Sequence, residues 1–445
     1  MTEFSVNLDD IQSSDIEQND SVACAEEPST RGTQVDEVTT REGWLALERE
    51  WDQLLEKSDV TVFQSFEWLS TWWDYFHNGG RLWVLTIREE GTLIGVLPLY
   101  VQVISVLGVV TSRRVQFIGH GLSDYLMPIV VRGREVELSQ LFLSFLLDRA
   151  DRWDVVDFED INEDFAFTKW LLEKDRPGLP PVIVRVGLIC PRKRLLGDWG
   201  ELLHSLGPNG RSNYKRKLKR LTCEFGGELD QIREPGPRVE SAVDTFVQIH
   251  GGRWKAIGYP SAFDNRHHRD FHVDVSQRLA RKGWLWMFVL KAQGIPVAVC
   301  YTFSFRKTLY MYQCNAHGHA EVMKASPGFV VQGLAMERGI CEGFSLFDFL
   351  RGDESYKLDE WKGDPSQNYF VRVLSPSVIS QIRRKAFLYP KEFFQKGCTR
   401  LQHELCEYRR FVLTKTPSRG EKTKFILNKL TDLVRLVKDY VVRHT

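Results

Sequence analysis

The chain has 445 residues, with 59 Lys plus Arg against 59 Asp plus Glu, 43% hydrophobic and 12% aromatic residues, a composition that excludes disorder throughout. Its length leaves room for two or three domains and excludes a single small module. No run reaches the roughly 18 apolar residues of a membrane span, and MTEFSVNLDD lacks the basic-then-apolar order of a signal peptide, so a cytoplasmic protein is expected. Cys24, Cys190, Cys223, Cys300, Cys314, Cys341, Cys398 and Cys406 form no C-x-x-C and no cluster. Reduced thiols are therefore expected, with neither a disulfide framework nor a zinc knuckle.

In chain order, residues 1–40 carry ten acids, one base and no tryptophan, which predicts a disordered acidic tail over 1–43. FEWLSTWWDYF (66–76) reads as a helix. GRLWVLTIREEGTLIGVLPLYV (80–101) reads as two strands joined by a turn holding Gly, a β-hairpin. A helical stretch over 134–150 then leads to the buried strand WDVVDF (153–158). In RSNYKRKLKRL (211–221), after a Gly-Pro-Asn-Gly turn, helical spacing puts Arg211 and Lys215 on one face and Arg216 and Arg220 on another. Such a surface suits the phosphates of a nucleotide sugar, a lipid-linked acceptor or RNA. Trp254, in GGRWK, is a candidate for lining an acceptor pocket.

The order then repeats. A helical stretch (267–283) precedes GWLWMFVLKAQGIPVAVCYTFS (283–304), which aligns without gaps on 80–101. A strand from Leu309 to Asn315 is followed by a loop ending at Ser326-Pro327-Gly328 and a helix over 327–343. Next comes FSLFDF (344–349), whose Asp348 matches Asp157 of the first copy. Two copies of one mixed α/β unit account for this, about 44–185 and 186–372, packed side by side. Ser326 is expected as N-cap, Pro327 in the first turn, and Gly328 where backbone approaches a ligand, together a helix start able to meet phosphate. The tail 373–445 is basic, with sixteen Lys or Arg against six Asp or Glu from 381 onward. In it Ile426, Leu430, Leu433, Val437 and Val441 form a helical apolar stripe, expected to pack on the second unit or lie on an anionic membrane. His268 and His272 stand four apart without a carboxylate partner, so no metal is expected. G-x-S-x-G and a Walker A lysine are absent from the sequence.

The order hairpin, strand, phosphate-facing helix, strand resembles the GNAT acyltransferase fold. FQSFEWL (63–69), SDYLMP (123–128), RSNYKRKLKRL, SPG (326–328) and FDFLRGDESYK (347–357) look like the tandem-GNAT proteins of the CelD/BcsL type, over roughly residues 44–372, and more distantly like the Fem peptidyltransferases. The loop departs from the usual Gln/Arg-x-x-Gly-x-Gly/Ala form and keeps Gly328 and the helix start. The resemblance implies an α/β fold of two tandem GNAT-like mixed-sheet units, and an acyl-CoA-dependent N-acyltransferase of polysaccharide or cell-envelope biosynthesis at the inner membrane surface. Its acceptor would be a small molecule or glycan precursor. The alternatives are a Fem-like transferase using aminoacyl-tRNA, the one case that would need nucleic acid, and a catalytically degenerate scaffold.

The acyl donor would then be acetyl-CoA or another acyl-CoA, held at Ser326, Pro327 and Gly328, with backbone N–H at Asn315 polarising the carbonyl. An ammonium acceptor needs a base, for which Asp348, Asp353 and Glu354 are candidates, and the departing thiolate needs a proton, for which Tyr356 is placed. Arg351 and Lys357 could hold a phosphate or an acidic acceptor. Asp124 and Tyr125 fall where the second copy has its ligand loop and are expected at the cleft between copies.

Overall fold

The computed structural model of the chain describes residues 34–388, apart from 107–108, 174–179, 181, 196 and 257. Its strands are β1 (Gln34–Val38), β2 (Arg81–Glu89), β3 (Thr92–Val106), β4 (Val109–Phe117), β5 (Ile129–Val130), β6 (Val155–Asn162), β7 (Val182–Ile189), β8 (Arg192–Arg194), β9 (Glu228–Ile232), β10 (Leu285–Ala292), β11 (Ile295–Phe305), β12 (Thr308–Ala316), β13 (Leu346–Asp348) and β14 (Gln367–Leu374). They make two mixed sheets, one ordered β1-β2-β3-β4-β6-β14-β7 with β5 on β3, the other β8-β13-β12-β11-β10-β9.

The repeat is visible element by element. The hairpins β2–β3 and β10–β11 turn at Glu90-Gly91 and Gln293-Gly294, and in each pair both residues have positive φ, as a two-residue type I′ connection requires. β6 runs parallel to β4, and β13 parallel to β12. The helices Phe66–Phe76 and Arg266–Arg281 each follow a 3₁₀ turn closed by a capping box, Thr61 with Gln64 and Ser261 with Asp264. These two helices pack on each other where the units meet. Around them Trp68 meets Phe271, Phe303 and Tyr312 at 5.4–5.5 Å between ring centroids. One hydrophobic core therefore runs through both units.

The structure corrects three expectations. Residues 34–43 are folded: β1 pairs antiparallel with β2 and Thr40 caps the short helix Arg41–Leu45, because Val35 and Val38 pack on the core. The boundary at 185/186 falls inside β7, and one strand crosses between the units. β14, from the end of the second unit, inserts between β6 and β7, while β8 completes the second sheet. An ion pair accompanies each of these two strands. Asp157 lies in register with Arg372 and accepts from its Nε and Nη2 at 2.6 and 2.7 Å, and Asp348 lies in register with Arg192 and accepts from its Nε at 3.0 Å. Third, the Gly-Pro-Asn-Gly run is the first turn of the helix Gly207–Phe225, since proline fits a helix start. Residues 1–33 and 389–445, including the stripe from Ile426 to Val441, lie outside the described residues.

Candidate active site

β12 continues beyond its partner. Its pairing with β13 ends at Tyr310 opposite Asp348, whereas its pairing with β11 runs on to Ala316. The chain after β13 turns away toward the other side, where the N–H groups of Phe349 and Gly352 bond to the carbonyls of Pro191 and Ile189. A register shift in the β11–β12 ladder places one extra residue, Tyr312, at this opening, and bulges commonly re-aim side chains beside active sites. Before the bulge Leu309 and Met311 face the helix Pro327–Cys341; after it Cys314 and Ala316 do. Tyr310 and Tyr312 face the first unit. The gap thus passes through the sheet from one face to the other.

On the helix face, Ser326 sits at the N-cap of Pro327–Cys341 with φ +50 and makes no side-chain cap bond, which corrects its expected capping role: a left-handed backbone aims the hydroxyl away from the first turn. The Ser326 carbonyl accepts from Phe329 and Val330. Pro327 has no N–H, so the first turn offers the Gly328 N–H, and a Cβ there would stand 3.4 Å from that of Ala316. Tyr356 packs on this face. Its phenol is pushed well above the ordinary value, first by burial and then by the nearby Cys314 and Glu354, so it keeps its proton at neutral pH. At the end of β12, Arg253 donates to Asn315 Oδ1 at 2.9 Å.

On the face toward the first unit, the loop after β4 delivers Asp124 and Tyr125. This loop is pinned by buried bonds from Gln64 Nε2 to the Tyr125 carbonyl, 2.6 Å, and from Trp68 Nε1 to Ser123 Oγ, 2.7 Å. Tyr125 Oη donates to Asp348 at 2.9 Å. Arg351 stands 3.4 Å from Asp124, pairs with Asp160 and donates to the Gly121 carbonyl at 3.0 Å. The Asp124 carboxyl is pushed up to about 7, chiefly by burial, against the opposing pull of Arg351. Burial also raises Asp160 and Asp348. Tyr125, Asp160 and Leu350 all adopt positive φ here. Non-glycine residues held in that region cost on the order of 1–3 kcal/mol each and cluster at functional sites.

The structure therefore brings Asp124, Tyr125, Asp348 and Arg351 together, with Tyr356, Asn315 and Ser326–Gly328 around the other mouth of the gap. Asp353 and Glu354 are exposed instead, and Glu354 pairs with Lys357 at 2.9 Å. Lys357 is buried and donates to the Arg351 carbonyl at 2.9 Å. It thus shapes the loop and presents no free cation, contrary to the expected phosphate role. Arg211 contacts His204, Arg216 bonds Asn213, and Arg220 pairs with Glu224 and Glu321 on the exposed side of their helix. Trp254 stacks near His250 and Tyr259. His272 is buried among aromatic rings and pushed down to about 3 by burial, and no group of His, Cys, Asp or Glu among the described residues could hold a metal. Gln64, Trp68, Asp160, Arg192, Arg253 and Tyr312 were not singled out from sequence. The capping-box spacing of Thr61 and Gln64 was a readable signal; Trp68, Asp160, Arg192 and Tyr312 became visible by contact across the units, and Arg253 by its bond to Asn315 within the second.

Two mixed sheets, the second opened between β12 and β13 above a helix start, define a tandem GNAT-like fold. Residues 208–358 match the model of the acetyltransferase (GNAT) domain family, about a third of the chain and within the second unit. The structure is similar to that of FemX, with a TM-score of 0.52 at 13% identity, covering 79% of this chain and 100% of that one. It is also similar to a conserved protein of unknown function from Bacteroides thetaiotaomicron, TM-score 0.48 at 13% identity over 77% and 100% of the two chains. A tandem GNAT protein from the clavulanic acid biosynthesis pathway aligns at 0.41 with 11% identity over 78% and 99%. At such identities the FemX likeness speaks to fold alone, and the other two scores carry no weight. No curated protein matches the chain in sequence. Among the described residues no helix is long and apolar enough to cross a membrane.

Proposed function

We propose that the chain is an acyl-CoA-dependent N-acyltransferase whose donor occupies the second unit and whose acceptor enters from the first. The observation that carries this reading is the gap beyond Tyr310 and Asp348, with a neutral phenol, Tyr356, on one face and a carboxyl titrating near neutrality, Asp124, on the other. The donor thioester lies along the open edge of β12, its phosphates toward Gly328 N–H and Arg253. Asp124 takes a proton from the acceptor ammonium; the amine attacks the carbonyl, the C–N bond forms, the C–S bond breaks as Tyr356 protonates the leaving thiolate, and the phenolate then takes the surplus proton of the new amide nitrogen, directly or through water. Arg351 and Tyr125 hold the carboxylates in place. Asp124, contributed by the first unit, replaces Asp353 and Glu354 as the preferred base, because both of those are exposed.

The motif resemblance directs the acceptor screen to amino sugars of envelope polysaccharide precursors. Calorimetry with acetyl-CoA and longer acyl-CoAs, followed by thiol release with an amine panel, tests the reading. Binding with amine-dependent thiol release is expected. Absence of binding to every acyl-CoA would overturn it, and capture of aminoacyl-tRNA instead would install the Fem-like alternative.

A further inference from the structure

A cavity of about 700 Å³ lies off the opposite end of the first sheet from the Asp124 loop. The parallel ladder of β4 and β6 begins at Arg114 opposite Val155; Arg113 and Arg152 precede it, whereas Asp124 follows the far end of β4. Four arginines line the cavity, Arg41, Arg81, Arg113 and Arg152, with Glu37 as the acidic residue among the lining groups. Three of them are matched: Arg152 with Glu37 at 3.1 Å, Arg41 with Asp74 at 2.6 Å, and Arg113 with Asp154 at 3.2 Å. The Arg81 side chain is exposed and makes no hydrogen bond or ion pair among the described residues. Arg41 Nη1 and Arg113 Nε also lack a hydrogen-bond partner, but both atoms are closed off from the cavity, which leaves Arg81 as its open guanidinium. Trp83, Val101 and Val103 supply an apolar wall beside these cations.

An unneutralised guanidinium suits an oxyanion, because its planar fork of N–H groups meets two phosphate or carboxylate oxygens at a time. The apolar wall suits a ligand body that leaves water, as in most small-molecule sites. We propose that this cavity is a second ligand site, for a small phosphate ester with an aromatic or apolar body, its phosphate on Arg81 and its body along Trp83, Val101 and Val103. The proposal does not depend on the acyltransferase reading, since the cavity shares no residue with the β12–β13 gap.

Calorimetry on the full chain with phenyl phosphate, inorganic phosphate and phenol tests it, each titration run with and without saturating CoA. Phenyl phosphate should bind more tightly than either fragment, and CoA should not displace it. Arg81→Gln, at an exposed side chain without polar partners among the described residues, should weaken phenyl phosphate at least about tenfold, and Val103→Trp, which fills the cavity from its wall, should abolish binding; circular dichroism checks that both variants fold. Failure of phenyl phosphate to bind at millimolar concentration, affinity unchanged by Arg81→Gln, or displacement by CoA would overturn the proposal.

Discussion

Replacing Asp124 by Asn removes the carboxyl that burial holds near neutrality while keeping its shape. In the unfolded chain an aspartate titrates near 3.9; in the fold this one is pushed up to about 7. The folded state therefore binds the proton more tightly, so the stability penalty is nearly absent below pH 4, grows between 4 and 7, and is complete above 7. Linkage over that interval makes the penalty about 1 kcal/mol at pH 4.5 and about 4 kcal/mol at pH 8.5. Asp160 and Asp348 titrate in both proteins and cancel to first order. Urea unfolding of wild type and Asp124→Asn at the two pH values should show wild type losing about 3 kcal/mol relative to the variant as pH rises. In the same pair, wild-type kcat/KM should climb through about pH 7 and level off, because the base must be ionised. The variant should lose that limb and on the order of 10²–10⁴ in rate. Parallel stability curves would refute the burial reasoning, and a limb retained in the variant would place the base elsewhere.

Tyr356→Phe should lower turnover by on the order of 10²–10⁴ with donor affinity nearly unchanged, since a raised phenol donates its proton only as the thiolate departs; calorimetry beside steady-state rates separates the two. Asp353→Asn, at an exposed residue, should leave both unchanged. Asp157→Asn takes the buried carboxylate shared by Arg372 and Arg114 out of their pairing and should cost about 3–5 kcal/mol in denaturant unfolding. Gly333→Ala puts a Cβ 2.2 Å from the ring of Tyr214, itself wedged between Phe329 and Trp361, and should cost about 1–3 kcal/mol. Tyr214→Phe should cost nothing, because the hydroxyl it removes is buried without a partner.

The two hairpins, the helices before and after them and the paired Asp157 and Asp348 were legible because each is specified locally. Gly at a turn, alternation in a strand and 3.6-residue spacing in a helix act over a few residues. So too was the helix start at Pro327. The pairing of β14 and β8 was not, because they are short apolar or basic runs whose partners, Asp157 and Asp348, lie 215 and 156 residues away. Nor was the burial of Asp124. In sequence the candidate bases are Asp348, Asp353 and Glu354, with Asp124 expected at the cleft, because every carboxylate there has the same intrinsic acidity.

Sequence by itself determined that this chain is two copies of one α/β unit with a helix that starts at Pro327 in the second. Only the tertiary structure decided which carboxyl stands buried beside the gap, which lysine is spent on its own loop, and which arginine is left free at the far cavity. The reason is physical: secondary structure follows from interactions between neighbours in the chain, whereas desolvation and charge pairing depend on groups the fold brings together from opposite ends of it.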